Sequence, residues 1–161
     1  HSMPKGLLKI PQLKAYYKSQ RPMIALFAAG DMLSMAVEIH KKLHSYNIKS
    51  SVYSILSIKP LPVKQIEFIM NTIPYYIVLE NSYANGGIAE YINSQLDRSM
   101  WHKNLFNVAF PDSFITHGKV SELLRYYELD SDTITHKIIS MINTEKNSHA
   151  KKPLRSISSS K

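Results

Sequence analysis

Four short, largely apolar runs separated by helix-periodic segments leave few folds open to this chain. The runs are Met23-Ile24-Ala25-Leu26-Phe27-Ala28, Val52 to Leu56, Tyr75-Tyr76-Ile77-Val78-Leu79, and Leu105 to Phe110. Each is short and apolar in the way of a strand buried on both faces. Between them, apolar residues recur at the spacing of one helix face. The stripes are Met32, Ala36, Ile39 and Leu43, then Val63, Ile66, Ile69/Met70 and Ile73, then Ile88, Ile92 and Leu96. Two closing helices are expected, one over Val120, Leu123, Leu124 and Tyr127 with Leu129 just beyond, the other over Ile134, Ile138 and Ile142. Strands joined by crossover helices run parallel, with right-handed connections. The expected fold class is α/β, a doubly wound and mostly parallel sheet of four or five strands with helices on both faces.

Local punctuation agrees with this reading. Asp31 follows Gly30 and is placed to N-cap the first helix, and Asn47 to close it. Pro62 stands at a helix start, where its missing N–H costs nothing, and Pro74 breaks the same helix. Ser131 or Asp132 is expected to cap the last helix. Outside this core, His1-Ser2 ahead of Met3 reads as a tag remnant, and residues 1–22, with Pro4, Pro11 and Pro22, read as a linker. The α/β domain is expected over 23–144. Residues 145–161, basic and then serine-rich, are expected to form a disordered tail.

The net charge of +8 invites a nucleic-acid reading, so its location matters. Residues 1–22 carry +5 and residues 145–161 carry +4, whereas 23–144 carry −1. A folded face that grips phosphates needs charge on the core itself, so the distribution argues against nucleic acid. No apolar stretch approaches the ~18 residues of a membrane span. The absence of cysteine excludes disulfides, zinc–thiolate sites and a Cys nucleophile, and is compatible with a cytoplasmic location.

Parallel topology gathers the strand C-termini on one edge, where such folds place their working loops. That edge should collect Gly30-Asp31, Ser57 to Leu61, Glu80 to Gly87 and Pro111 to Gly118. The motifs for dinucleotide binding, P-loop phosphate binding and a serine nucleophile elbow are all missing. An acid at Asp31 would also repel phosphate from a helix N-terminus. His40 and His44 have metal-ligand spacing, but Lys41 stands where a catalytic glutamate would follow and no third ligand is apparent; they read as surface histidines. Glu80, Asp112 and His117 could do acid–base work. Without a nucleophile or cofactor motif the structural reading is preferred, with Asp112 in an Asx-type turn and His117-Gly118 ending a tight loop. Gly86-Gly87 likewise reads as a tight turn into a helix.

Taken in order, the edge loops carry a pattern. Pro111-Asp112-Ser113-Phe114-Ile115-Thr116-His117-Gly118, then Leu123-Leu124 and Leu129-Asp130, resembles the P-D-x-F-x-x-H-G…L-L…L-D ending of the 1-deoxy-D-xylulose-5-phosphate synthase family. Lys59-Pro60-Leu61 resembles its K-P-L-D turn, and Glu80-Asn81 with Gly86-Gly87 resembles its E-E-N…G-G-x-G segment. The spacing agrees from Met23 to Asn143. There are departures: Leu79 replaces the first acid of the pair, Pro62 the acid of K-P-L-D, and Ala89 the third glycine, while Phe110 precedes Pro111. Related C-terminal domains occur in transketolases and in the beta subunits of 2-oxo acid dehydrogenases.

The resemblance implies the third domain of an enzyme that joins pyruvate to glyceraldehyde 3-phosphate with loss of CO₂, toward isoprenoid precursors. In that family two preceding domains hold thiamine diphosphate and Mg²⁺, and the third packs against them and supports a homodimer. No catalytic, cofactor or metal residue carries over to this chain. Glu80, Gly86, Gly87, Pro111, Asp112, His117 and Gly118 match family positions, and architectural or interface roles are expected for them. Two other classes compete: a free-standing ligand-binding module using Glu80, Asp112 and His117, and a basic-tailed protein binding RNA or anionic membrane.

Overall fold

A computed structural model describes residues 12–150, apart from 98, 100–103 and 116. Five strands form one sheet: β1 (Leu13–Tyr17), β2 (Ile24–Ala29), β3 (Ser50–Ile55), β4 (Tyr75–Tyr83) and β5 (Asn104–Phe110). Five helices accompany them: α1 (Met32–Ser45), α2 (Val63–Thr72), α3 (Ile88–Gln95), α4 (Val120–Tyr126) and α5 (Ser131–Ala150). The strand order is β1-β3-β2-β4-β5. The β2–β3, β2–β4 and β4–β5 pairs are parallel, and β1 joins the edge antiparallel to β3. The expected doubly wound α/β fold is what the chain adopts.

The period of two along β2 explains the layers. Ile24, Leu26 and Ala28 point to one face, where they meet Met32, Ala36, Ile39 and Leu43 of α1 and Ile134, Ile138 and Ile142 of α5. Ala25 and Phe27 point to the other, against Ile66, Ile69 and Met70 of α2 and Ala89 and Ile92 of α3. All six β2 residues are buried, as its uninterrupted apolar run requires. The stripes read for α1, α2 and α3 supply their buried faces, whereas the one read for α4 does not: none of Val120, Leu123, Leu124 and Tyr127 is buried, because α4 lies on the surface. Asn47 closes α1 in a left-handed conformation (φ 57°), and the Ile48 N–H returns to the Leu43 carbonyl at 3.0 Å.

Several boundaries differ from expectation. Leu13–Tyr17, placed in the linker, is a strand: its backbone pairs with β3, and the Leu13 N–H donates to Gln65 Oε1 of α2 at 2.9 Å. α5 runs to Ala150, six residues into the expected tail; the rest of that tail, like 1–11, lies outside the described residues. β4 continues past Leu79 to Tyr83 because Tyr83 pairs with Phe110 of β5. The cap of α5 is Asp130 rather than Ser131 or Asp132. Its Oδ1 accepts from the Asp132 and Thr133 N–H groups, each at 3.1 Å. Partial burial would raise the Asp130 carboxyl, but the hydrogen bonds from Thr133 and Asp132 outweigh it and hold it below its ordinary value. No helix among the described residues is long and apolar enough to cross a membrane.

Candidate functional site

The strand order reverses direction between β2 and β4. From β2 the chain passes to α1 on one face, and from β4 to α3 on the other, so their loops part over a crevice. In doubly wound sheets this switch point is the usual ligand site. Here side chains of the chain itself bridge it: Asn81 Nδ2 donates to Asp31 Oδ2 at 2.8 Å. Asp31 does occupy the N-cap position of α1, but its carboxylate caps nothing and serves this cross-loop bond instead.

Glu80 is the most informative residue on the edge. Only 1% of it is exposed, at a place where a carboxylate is costly unless every oxygen is satisfied. Its Oε2 accepts from the Ile88 N–H and the Ser82 hydroxyl, both at 2.5 Å, and Oε1 accepts from the Ala89 N–H at 3.2 Å. The carboxylate thus fills the anion site that the N-terminus of α3 offers. Gly87 makes this possible by lacking a side chain. A Cβ there would lie 2.7 Å from Glu80 Oε1 and 2.6 Å from the Tyr83 carbonyl oxygen. Gly86 contributes differently, through its left-handed φ of 74°, and its N–H donates to Glu90 Oε2 at 2.5 Å.

The neighbouring loop joins this one directly. The Ala84 N–H donates to the Phe110 carbonyl and Asn85 Nδ2 donates to Asp112 Oδ2, each at 2.8 Å. Asp112 therefore ties two loops together instead of making the expected Asx-type turn. The local turn is closed by the backbone, with the Ser113 N–H donating to the Pro111 carbonyl at 2.8 Å. His117 and Gly118 are exposed, as is Pro111. Among the described residues no hydrogen bond engages His117. Gly118 packs close to α4, where an added Cβ would come 3.3 Å from Leu123 Cδ2. The third loop, after β3, holds a cis Lys59–Pro60 bond, and the Ser57 hydroxyl donates to the Pro60 carbonyl at 2.5 Å.

Of the predicted site residues, Glu80, Gly86, Gly87 and Asp112 are brought together as one hydrogen-bonded corner. His117 is not joined to them by any hydrogen bond among the described residues. The carboxylates have partners of their own, and no group of three or more potential metal-ligating side chains occurs among the described residues. A diphosphate placed at the switch point would meet the Asp31 carboxylate before α1 and the Glu80 carboxylate at α3. These residues do not fit thiamine diphosphate. His40, paired with His44 in the sequence, packs inward: its Nδ1 lies 2.8 Å from Ser50 Oγ, and its ring stacks on Tyr17 with centroids 4.8 Å apart.

What the polar residues leave over is apolar. α4 has no buried residue. Phe114 is 87% exposed, Tyr126 78% and Val120 66%, all on α4 or the loop that leads into it. In the sequence Val120 was named only as part of an apolar helix stripe and Phe114 only as a letter of the P-D-x-F motif, and Tyr126 not at all. A surface of this kind marks a protein contact more often than free solvent.

A family model described as the transketolase C-terminal domain matches residues 13–134. Curated relatives are 1-deoxy-D-xylulose-5-phosphate synthases. That of Clostridium acetobutylicum is 29% identical over 117 residues, 73% of this chain and 19% of the relative. That of Caldanaerobacter subterraneus subsp. tengcongensis is 31% identical over 116 residues, 72% of this chain and 19% of the relative. The chain spans about a fifth of the length of these relatives. Among solved structures, a split gene transketolase described as an inactive beta4 tetramer superposes with a TM-score of 0.70 at 18% identity, covering 80% of this chain and 41% of that one. A Pichia stipitis transketolase gives 0.60 at 16% identity, covering 84% of this chain and 18% of that one. At such identities the superpositions speak for the fold alone.

Proposed function

This chain belongs to the transketolase C-terminal domain family, and we propose that it is the C-terminal domain of a 1-deoxy-D-xylulose-5-phosphate synthase-like enzyme. The parent would use thiamine diphosphate and Mg²⁺, held by preceding domains, to join pyruvate to glyceraldehyde 3-phosphate in the cytoplasm. This domain would supply no catalytic or cofactor-binding group. It would give the parent a contact surface, against the thiamine-binding domains and in support of a homodimer. One observation carries the reading. The polar side chains of the strand-end corner are occupied with one another, while Phe114, Val120 and Tyr126 stand exposed beside them. A catalytic edge would show the reverse, with free acids and bases lining a recess.

The gene provides the direct test. The reading predicts thiamine-binding domains encoded upstream of Met3, and an unrelated upstream domain would overturn it. Calorimetry gives a second test: the 161-residue chain should show no micromolar binding of thiamine diphosphate.

A further inference from the structure

We propose that a trough between β1 and α2, away from the strand-end corner, binds an elongated organic dianion with an anionic group at each end and an apolar body between them. The trough has a volume of about 570 Å³, within the ~300–1,000 Å³ usual for small-molecule sites. Its walls are fixed by hydrogen bonds at both ends of β1. At one end the Leu13 N–H donates to Gln65 Oε1 in the first turn of α2 at 2.9 Å. At the other, the Ser19 N–H donates to Ser51 Oγ at 3.1 Å and the Ser19 hydroxyl to the Ser50 carbonyl at 2.7 Å.

Cations stand at both ends of this lining. Lys64 is in the first turn of α2, beside Gln65 and Leu13. Lys18 and Arg21 flank Ser19 at the opposite end, where β2 and β3 begin. Along α2 from Lys64 to Thr72 the span is about 12 Å, at ~1.5 Å per residue. Between the ends the lining is apolar, with Leu13, Ile69 and Phe68; the Phe68 ring is 70% exposed on a helix that otherwise buries its large apolar residues.

None of the three cations is ion-paired among the described residues. The ion pairs among the described residues are Lys42–Asp132 and Lys137–Glu128, both elsewhere. An anion at each end would complement these cations, and their placement at opposite ends of an apolar lining favours a long one. The trough lies along β1, at the opposite edge of the sheet from the β4–β5 corner assigned to the parent contact, so it remains a separate site whatever becomes of that assignment.

Amide shifts of the ¹⁵N-labelled 161-residue chain test this with three probes: suberate (a linear dicarboxylate), octanoate (one charge, same length) and malonate (two charges, short). Suberate should produce saturable shifts at Lys18, Ser19, Lys64 and Phe68, and bind at least about threefold tighter than either other probe, the factor one exposed ion pair supplies. Lys64→Gln should reduce suberate to the level of octanoate and leave octanoate unchanged. Arg21→Gln should weaken both. Lys14→Gln should change neither, because Lys14 is on β1 but outside the lining. All these positions are exposed, so the substitutions leave the core intact. Absence of saturable shifts would overturn the proposal. So would malonate binding as tightly as suberate, or equal losses in Lys14→Gln and Lys64→Gln, since both are signs of diffuse charge attraction.

Discussion

Replacing Glu80 by alanine should destabilise the isolated domain by about 3 kcal/mol. The carboxylate is the acceptor for the Ile88 and Ala89 N–H groups. Each buried donor left unpaired costs ~1–3 kcal/mol, moderated where water enters the vacated space. Against a total stability of ~5–15 kcal/mol this is a large fraction, and at ~2–4 °C per kcal/mol it lowers the melting temperature by roughly 6–12 °C. Gly87→Ala attacks the same corner from the other side. Its methyl would press on Glu80 and on the Tyr83 carbonyl, an overpacking worth ~1–3 kcal/mol. Because the new methyl and the old carboxylate compete for one space, the double substitution should cost less than the two single ones together, by about 1 kcal/mol. Urea unfolding of the four proteins, monitored by circular dichroism, measures all three quantities. A loss under about 0.5 kcal/mol in Glu80→Ala, or strict additivity in the double variant, would refute the view that this carboxylate builds the corner.

Other expectations follow from the same geometry. His117→Ala should cost the isolated domain at most ~1 kcal/mol, because the imidazole is exposed. In the full parent the same change should weaken domain docking or dimerisation, read as the dimer dissociation constant; an unchanged dimer beside a badly destabilised domain would assign His117 to the local fold. Phe27→Ala, in the middle of β2 and fully buried against Tyr53, should cost ~3–5 kcal/mol in the same urea assay. Burial first, then His44 and Lys41, lowers the pKa of His40, with the Ser50 contact opposing them. The unfolded chain then takes up the proton at a higher pH than the folded one. The contribution of His40 is whole above its unfolded value of ~6.5 and is lost as pH falls from there through the folded pKa. Unfolding curves between pH 7.5 and 5 should show this loss, and His40→Gln should flatten it.

The parts of the fold carried by burial were legible in the sequence, and the parts carried by pairing were not. β2 announces itself because all six of its residues enter the core, and α1 because Met32, Ala36, Ile39 and Leu43 do. β1 is silent, since Leu13 alone is half-buried and Lys14 to Tyr17 are exposed; what makes it a strand is the ladder to β3. The extension of β4 to Tyr83 is silent for the same reason. At the corner the motif residues were found, with architectural roles expected for them, but not the particular bonds they make. Asp31 looked like a cap and instead bonds Asn81, because the side chain of a residue in a loop can reach another loop as easily as its own helix. Glu80, for which an architectural role was preferred over acid–base work, caps a helix that starts eight residues later. An acid at the end of an apolar strand, shortly before Gly-Gly and a helix, was the available signal. Val120, read as part of a helix stripe, gave no sign of its exposure, because apolar residues at helical spacing read as core until a fold leaves them outside; Phe114 was visible only as a motif letter and Tyr126 not at all.

Hydrogen exchange compares this surface in the two contexts that matter, the isolated 161-residue chain and the same chain within its full-length parent. If the domain docks through α4 and the loop before it, amides from Phe110 to Tyr127 gain protection in the parent, while those of α2 along the trough exchange alike in both. Identical exchange from Phe110 to Tyr127 in the two proteins would contradict the contact surface and leave its exposed aromatic residues without the role assigned to them.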